Sequence, residues 1–258
     1  MGDGLLQNND VLEAASLVPV LLILFNRSEN TSKLIDALSL VKPRYIYVNI
    51  DGPRTGNEKD RIEVGLCKEL VAKIDWKCMV SMQYHEKNLG CKMSVVSAID
   101  WYFSNVDEGI ILEDDCIPSV SFFTFSSQML AKYRDDDRVM QISGSNYVVT
   151  KGVPLDTYYY SAINDIWGWA TWKASWSKFS IEMAKLDEFL DSDALDAYTG
   201  NNEISSWLKK YLLSADNPNN KSWSSQWVYS MAKHFSFTVV PPRNLVQNIG
   251  FLGEGTNS

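Results

Sequence analysis

Histidine is nearly absent from this chain: its 258 residues include two, His85 and His234. Neither sits in a metal-ligand pattern, so a histidine-built centre is not expected. The four cysteines are Cys67, Cys78, Cys91 and Cys116, and none forms a CxxC pair. That spacing suits neither a zinc site nor a dense disulfide framework. Free thiols in a reducing compartment are expected. Clustered basic residues are missing as well. The formal net charge is -8, and no Lys/Arg stripe stands out, so a nucleic-acid partner is not expected. There is no long apolar run. The longest early one, residues 17–25, contains Pro19 and is far too short to span a bilayer. No basic segment precedes it, which argues against a signal peptide. A cytoplasmic location is expected, with room for association at the inner face of the membrane. Phosphate-loop signatures are absent too. There is no Walker A motif and no GxGxxG after the first strand, and Ser143-Gly144-Ser145 is not a GxSxG elbow.

What is present suits a globular chain. Hydrophobic residues make up 45% and charged residues 22%, which fits one domain, or one domain with an added lobe. Nine Trp, twelve Tyr and ten Phe either fill a core or line a pocket for a ring-shaped ligand. Residues 1–16 read as a loose lead-in. Residues 18–25 then form a near-continuous apolar run, as expected of a buried parallel strand. Ser28 is the expected N-cap of a helix carrying Leu34, Ile35, Leu38 and Val41 on one face. The pattern repeats. Strands are predicted at 45–50, 77–83 and 109–112, with Met79 and Met82 in the core. Ile62, Leu66 and Leu70 mark one helix. Met93, Val96, Ile99 and Phe103 mark another. Pro118 is expected in the first turn of the helix that follows. The back half is less regular. It has strands near 138–143 and 237–240, a Trp/Gly-rich stretch over 163–176, and late helices at 204–213 and 223–235.

Alternating strands and helices at this spacing predict an α/β doubly wound, mostly parallel sheet, with a small extension in the back half. Residues 17–125 are expected to form the nucleotide-binding half of a single 1–258 domain, and 126–258 the acceptor-side half. Such sheets bind ligands beyond the carboxyl ends of their strands. Asn26, Arg27, Asp51 and Glu113-Asp114-Asp115 all fall at those ends. Three acids at the end of an apolar strand suit Mg²⁺ or Mn²⁺ shared with substrate phosphates, or else a solvated acidic turn. Arg27 is either a phosphate contact or a surface salt bridge. Asp51 either accepts from a base or ribose or only caps the Gly52-Pro53 turn. Asn88 and Lys92 are candidates for the same rim.

Four stretches carry a family resemblance: PVLLILFNR at 19–27, YIYVNIDGPR at 45–54, NLGCKMSVVSAIDWYF at 88–103 and GIILEDDCIPSVSFF at 109–123. The segments 166–176 and 239–258 extend it. With these the chain resembles GT-A type glycosyltransferases of the bacterial nucleotide-diphospho-sugar transferase group. More distantly it is similar to the N-acetylglucosaminyltransferase that starts hybrid and complex N-glycans. The resemblance implies a metal-dependent, inverting transfer from a UDP-sugar to a glycan or lipid-linked acceptor. It implies Asp115 as ligand to Mn²⁺ or Mg²⁺, with Glu113 and Asp114 at the ribose or donor sugar. Asp51 would then meet the base and Arg27 the phosphates. Trp167, Gly168 and Trp169 would lie by the sugars. One departure matters. Trp223-Ser224-Ser225-Gln226-Trp227 lacks the acid that relatives place after this Trp, and a serine is a poor general base near neutral pH. Asp165 and Glu254 are the candidates for that role. Two other readings are a nucleotidyltransferase that makes an activated sugar and a carbohydrate-binding protein on a degenerate transferase fold. The first would be favoured by a Gly-rich, basic loop after the first strand, which residues 25–29 do not supply.

Overall fold

The computed structural model describes residues 8–147, 157–216 and 222–250. A helix, α1 (Asn8–Leu17), leads into β1 (Val20–Leu24). Then follow α2 (Ser28–Ser39), β2 (Tyr45–Ile50), α3 (Glu58–Ala72), β3 (Met79–Tyr84), α4 (Cys91–Phe103) and β4 (Glu108–Glu113). A short strand, β5 (Cys116–Pro118), precedes α5 (Val120–Tyr133) and β6 (Val139–Ser143). The chain continues through β7 (Tyr159–Ser161), β8 (Trp169–Trp172), α6 (Lys173–Trp176), α7 (Leu186–Leu190), α8 (Ala194–Thr199) and α9 (Asn202–Leu213). It closes with α10 (Ser224–Lys233), β9 (Phe237–Val240) and β10 (Val246–Asn248).

The strands form an eight-stranded sheet in the order β3-β2-β1-β4-β8-β6-β9-β7. The β3-β2-β1-β4 block is parallel, and β8 runs antiparallel between β4 and β6. β9 is parallel to β6, and β7 pairs antiparallel with it at the edge. This is the doubly wound, mostly parallel α/β sheet expected from the alternation of elements. All five residues of β1 are buried. Successive side chains on a strand point to opposite faces. Val20, Leu22 and Leu24 therefore pack with α2, α3 and α5, while Leu21 and Ile23 pack with α4 and α10. A fully buried Leu or Val contributes about 1.5–3 kcal/mol over an exposed one. That is why this strand reads as an unbroken apolar run. A third cluster holds α7, α8 and α9 against α10 through Leu190, Tyr198, Leu208 and Val228. It forms the small helical extension.

Several local expectations are corrected. The lead-in contains α1, whose Ala15 is buried in the core. Ser28 is the first helical residue, and Arg27 occupies the cap position. The buried side of α3 is Val64, Cys67 and Val71, while Ile62 is 54% exposed and Leu66 is also exposed. Met79 is 58% exposed because β3 is an edge strand. Met82 is partly buried against the core, and Met93 is 48% exposed at the start of α4. Pro118 ends β5, and Ser119 caps α5.

Candidate functional site

β1 lies between β2 and β4, so the strand order changes direction there, and the chains leaving β1 and β4 bound a crevice. Arg27 leaves β1 and Glu113-Asp114-Asp115 closes β4. Their side chains meet: Arg27 Nη1 donates to Asp114 Oδ1 and to Asp115 Oδ2, each at 2.9 Å. Burial would lower the Arg27 pKa, but the charges of Asp114 and Asp115 raise it above its ordinary value. Burial pushes the Asp114 carboxyl up to about 6, against the pull of Arg27. Burial also pushes Glu113 up to about 8, with help from the charges of Asp115 and Asp114. One cation and three acids in a desolvated corner cannot all be ionised without cost, and Glu113 yields first. The C-terminal ribbon crosses this corner. β10 pairs antiparallel with β5, and the Ile249 amide donates to the Asp115 carbonyl at 2.9 Å. A Cβ on Gly250 would lie 2.4 Å from Asp115 Oδ2.

Asp51, at the end of β2, is buried and bonded on both oxygens. Oδ1 accepts from the Gly52 amide at 2.8 Å and the Leu89 amide at 2.9 Å, and Oδ2 accepts from Asn88 Nδ2 at 2.8 Å. Asn88 also donates to the Gly52 carbonyl at 3.0 Å. Burial raises the Asp51 pKa and outweighs these donors. Both residues therefore tie the end of β2 to the turn that opens α4. Asn26 donates to Asp60 Oδ1 at 2.8 Å, and Arg54 Nε donates to Asp60 Oδ2 at 2.6 Å. Asp60, which sequence reasoning missed, is buried, and the hydrogen bond from Arg54 lowers its pKa to about 2. Its position three residues after Asn57, which caps α3, was the available signal. Lys92 turns to the other face of the sheet. Its Nζ lies 3.1 Å from the Gln226 oxygen once that amide is oriented to its neighbours.

The Trp/Gly stretch divides. Gly168 has a φ of +70°, and a Cβ there would lie 2.8 Å from Val246, so only glycine fits. Trp169 is buried in β8, packed against Trp176, Trp223 and Trp227. Its expected place beside a sugar is corrected: the ring is enclosed by core. Trp167 instead lines a cleft with Asp165. Burial raises the Asp165 pKa, while the Trp167 amide donates to Oδ1 at 2.7 Å and pulls the other way. Glu254 lies outside the described residues.

No family model and no curated protein matches the chain. Among solved structures it is similar to a 4-diphosphocytidyl-2C-methyl-D-erythritol synthase from Anaerococcus prevotii. That match covers 93% of both chains, at 11% identity and a TM-score of 0.44. A UDP-glucose pyrophosphorylase complexed with UDP-glucose is matched over 93% of this chain and 96% of the other, at 8% identity and a TM-score of 0.42. Both likenesses are distant and carry no residue roles.

The expected metal-dependent glycosyltransferase is corrected. Among the described residues no group of three or more His, Cys, Asp or Glu is placed to hold a metal ion. Asp114 and Asp115 are both turned to Arg27. Ser224 and Ser225 stand where an acceptor base was sought, and Asp165 is held by its own loop.

Proposed function

We propose that the crevice between β1 and β4 binds a nucleoside phosphate, and that the chain is a nucleotidyltransferase producing an activated sugar. The supporting observation is the Arg27–Asp114–Asp115 corner at the strand-order reversal. It puts one basic group, Arg27, just after the first strand, although residues 25–29 form no glycine-rich loop. Ser224 and Ser225, in place of an acid, point the same way. Glycosyl transfer to a hydroxyl needs a group to take its proton. In nucleotidyl transfer the nucleophile is a sugar-phosphate oxygen, already anionic at neutral pH. It attacks the α-phosphorus of a nucleoside triphosphate. The bond from that phosphorus to the bridging oxygen breaks, and diphosphate leaves. Positioning and charge stabilisation then do most of the work.

Arg27 is assigned to the phosphates, and Asp51 and Asn88 hold the turn that walls the nucleotide. Mn²⁺ or Mg²⁺ belongs to the proposal, with Asp115 as its protein ligand. A single carboxylate suits an ion that takes most of its shell from phosphates and water. Bound there, it would offset charge on the departing diphosphate. Residues 17–125 would hold the nucleotide and 126–258 the second substrate. Among the described residues no helix is long and apolar enough to cross a membrane, and a cytoplasmic place is part of the proposal.

The test mixes UTP, CTP, GTP or dTTP with a panel of sugar 1-phosphates and measures diphosphate release, beside calorimetric binding with and without Mn²⁺. Release with one pair, lost in Arg27→Ala and partly kept in Arg27→Lys, supports the reading. Binding without release for every pair removes the reaction. Absence of nucleotide binding removes the site.

A further inference from the structure

A second concavity, of about 460 Å³, lies in the back half. That volume falls in the roughly 300–1,000 Å³ range of small-ligand pockets. Its lining includes Asn164, Asp165 and Trp167 from the loop before β8, Trp207 and Tyr211 from α9, and Ser224 from α10. Trp207 and Tyr211 are one helical turn apart. Their rings are parallel within 4°, with centroids 5.6 Å apart. Trp207 is nevertheless 52% exposed. An indole that only filled space would be covered. Here α9 buries Leu208 and Leu212, and Leu208 lines the cleft beside the more exposed aromatic pair.

The polar groups are held in place. Tyr211 Oη and Ser224 Oγ are 2.7 Å apart, and Ser224 Oγ is 2.6 Å from Ser222 Oγ. The 164–165 loop is pinned from beneath by Gln141, which is fully buried in β6. Gln141 Nε2 donates to the Asp165 carbonyl at 2.5 Å, and its Oε1 accepts from Asn164 Nδ2 at 3.1 Å and Trp227 Nε1 at 2.6 Å. A buried amide holding these three bonds fixes the loop that carries Asp165 and Trp167.

The chemistry selects the occupant. Among the described residues no Lys or Arg lines the cleft, and Asp165 is an acid, which disfavours a phosphate there. A wholly apolar ligand would strip water from Asp165, Asn164 and two serines without replacing their hydrogen bonds. A pyranose has an apolar C–H face for the aromatic pair and a ring of hydroxyls for the polar groups. We propose that this cleft is a carbohydrate subsite. Trp207, backed by the Tyr211 ring stacked on it, covers one face of a sugar ring, and Asp165, Asn164, Ser222 and Ser224 meet its hydroxyls. The proposal stands on the cleft's own chemistry and does not require nucleotidyl transfer at the crevice. The two places are neighbours in the fold. Ile111 pairs with Trp169, so the loop carrying Trp167 enters the sheet beside the strand that ends in Glu113.

Saturation-transfer NMR with the methyl glycosides of glucose, galactose, mannose, rhamnose and N-acetylglucosamine tests this on the whole chain. Transfer to at least one glycoside is expected, strongest on the protons of one ring face. Trp207→Ala should weaken that binding by about tenfold or more, since it removes the stacking surface. Trp207 is half exposed, so this variant keeps the fold, which its circular dichroism and unchanged UTP binding would confirm. Asp165→Asn serves as the second variant and should weaken binding without abolishing the face preference. No transfer to any of the five glycosides overturns the subsite. So does transfer that persists in both variants. Failure of UTP to bind the wild type would count against the crevice and leave this result unaffected.

Discussion

At the residue scale, the chain places groups where their ordinary pKa values cannot hold. Glu113 has a folded value of about 8, well above that of a free carboxyl. The folded chain therefore keeps a proton that the unfolded chain has lost, and stability falls as pH rises from the ordinary carboxyl range to about 8. Glu113→Gln should flatten that decline, read as urea midpoints across the window. The same proton reduces negative charge beside Arg27, so nucleotide affinity should drop above pH 8 in the wild type and less in Glu113→Gln. Asp60 behaves oppositely. Its folded value of about 2 lies below the free carboxyl, so its contribution is complete above the ordinary carboxyl range and lost as pH falls through 2. Asp60→Asn should cost about 1–3 kcal/mol at neutral pH, the scale of breaking a buried charged hydrogen-bond set. The difference from wild type should shrink in acid, which denaturation at the two pH extremes would show.

At the element scale, the end of β2 is locked to the end of β3. A Cβ on Gly52 would lie 2.5 Å from the Lys87 carbonyl carbon and 2.7 Å from the His85 carbonyl oxygen. Backbone atoms cannot retreat as a flexible side chain can. Gly52→Ala should therefore destabilise the chain by about 1–3 kcal/mol, as overpacking does, and expose the 85–90 turn to protease. Its Asp51 clamp explains why this acid, legible as a strand-end group, serves the turn on both oxygens. The strands were readable because a buried parallel strand needs little beyond an apolar run. The face of α3 was not. Ile62, Leu66 and Leu70 recur at a helical spacing, as do Val64, Cys67 and Val71, and periodicity cannot say which set meets the sheet. Met79 failed for a related reason: an apolar residue on an edge strand has no second neighbour to cover it.

At the scale of the whole molecule, the aromatics separate into two uses. Trp169, Trp176, Trp223 and Trp227 join β8, α6 and α10 into one buried cluster. Trp169→Ala should cost about 3–5 kcal/mol and flatten the near-UV circular dichroism, as large aromatic truncations in cores do. The thiols test packing more gently. Cys67 and Cys116 are buried, and Cys78 and Cys91 are partly covered. A thiol reagent should label the second pair first and the first pair only on unfolding.

By itself the sequence determined the α/β order, the apolar strands and the acidic close of β4, because each follows from local spacing and strand-end polarity. Only the tertiary structure decided what those acids meet. Arg27 lies 87 residues from Asp114, and the parallel pairing of β1 with β4 brings them to 2.9 Å. The same holds for Trp167 and Trp169, two residues apart in one loop and strand. The alternation of a strand sends one into the core, and the turn at Gly168 leaves the other on the cleft.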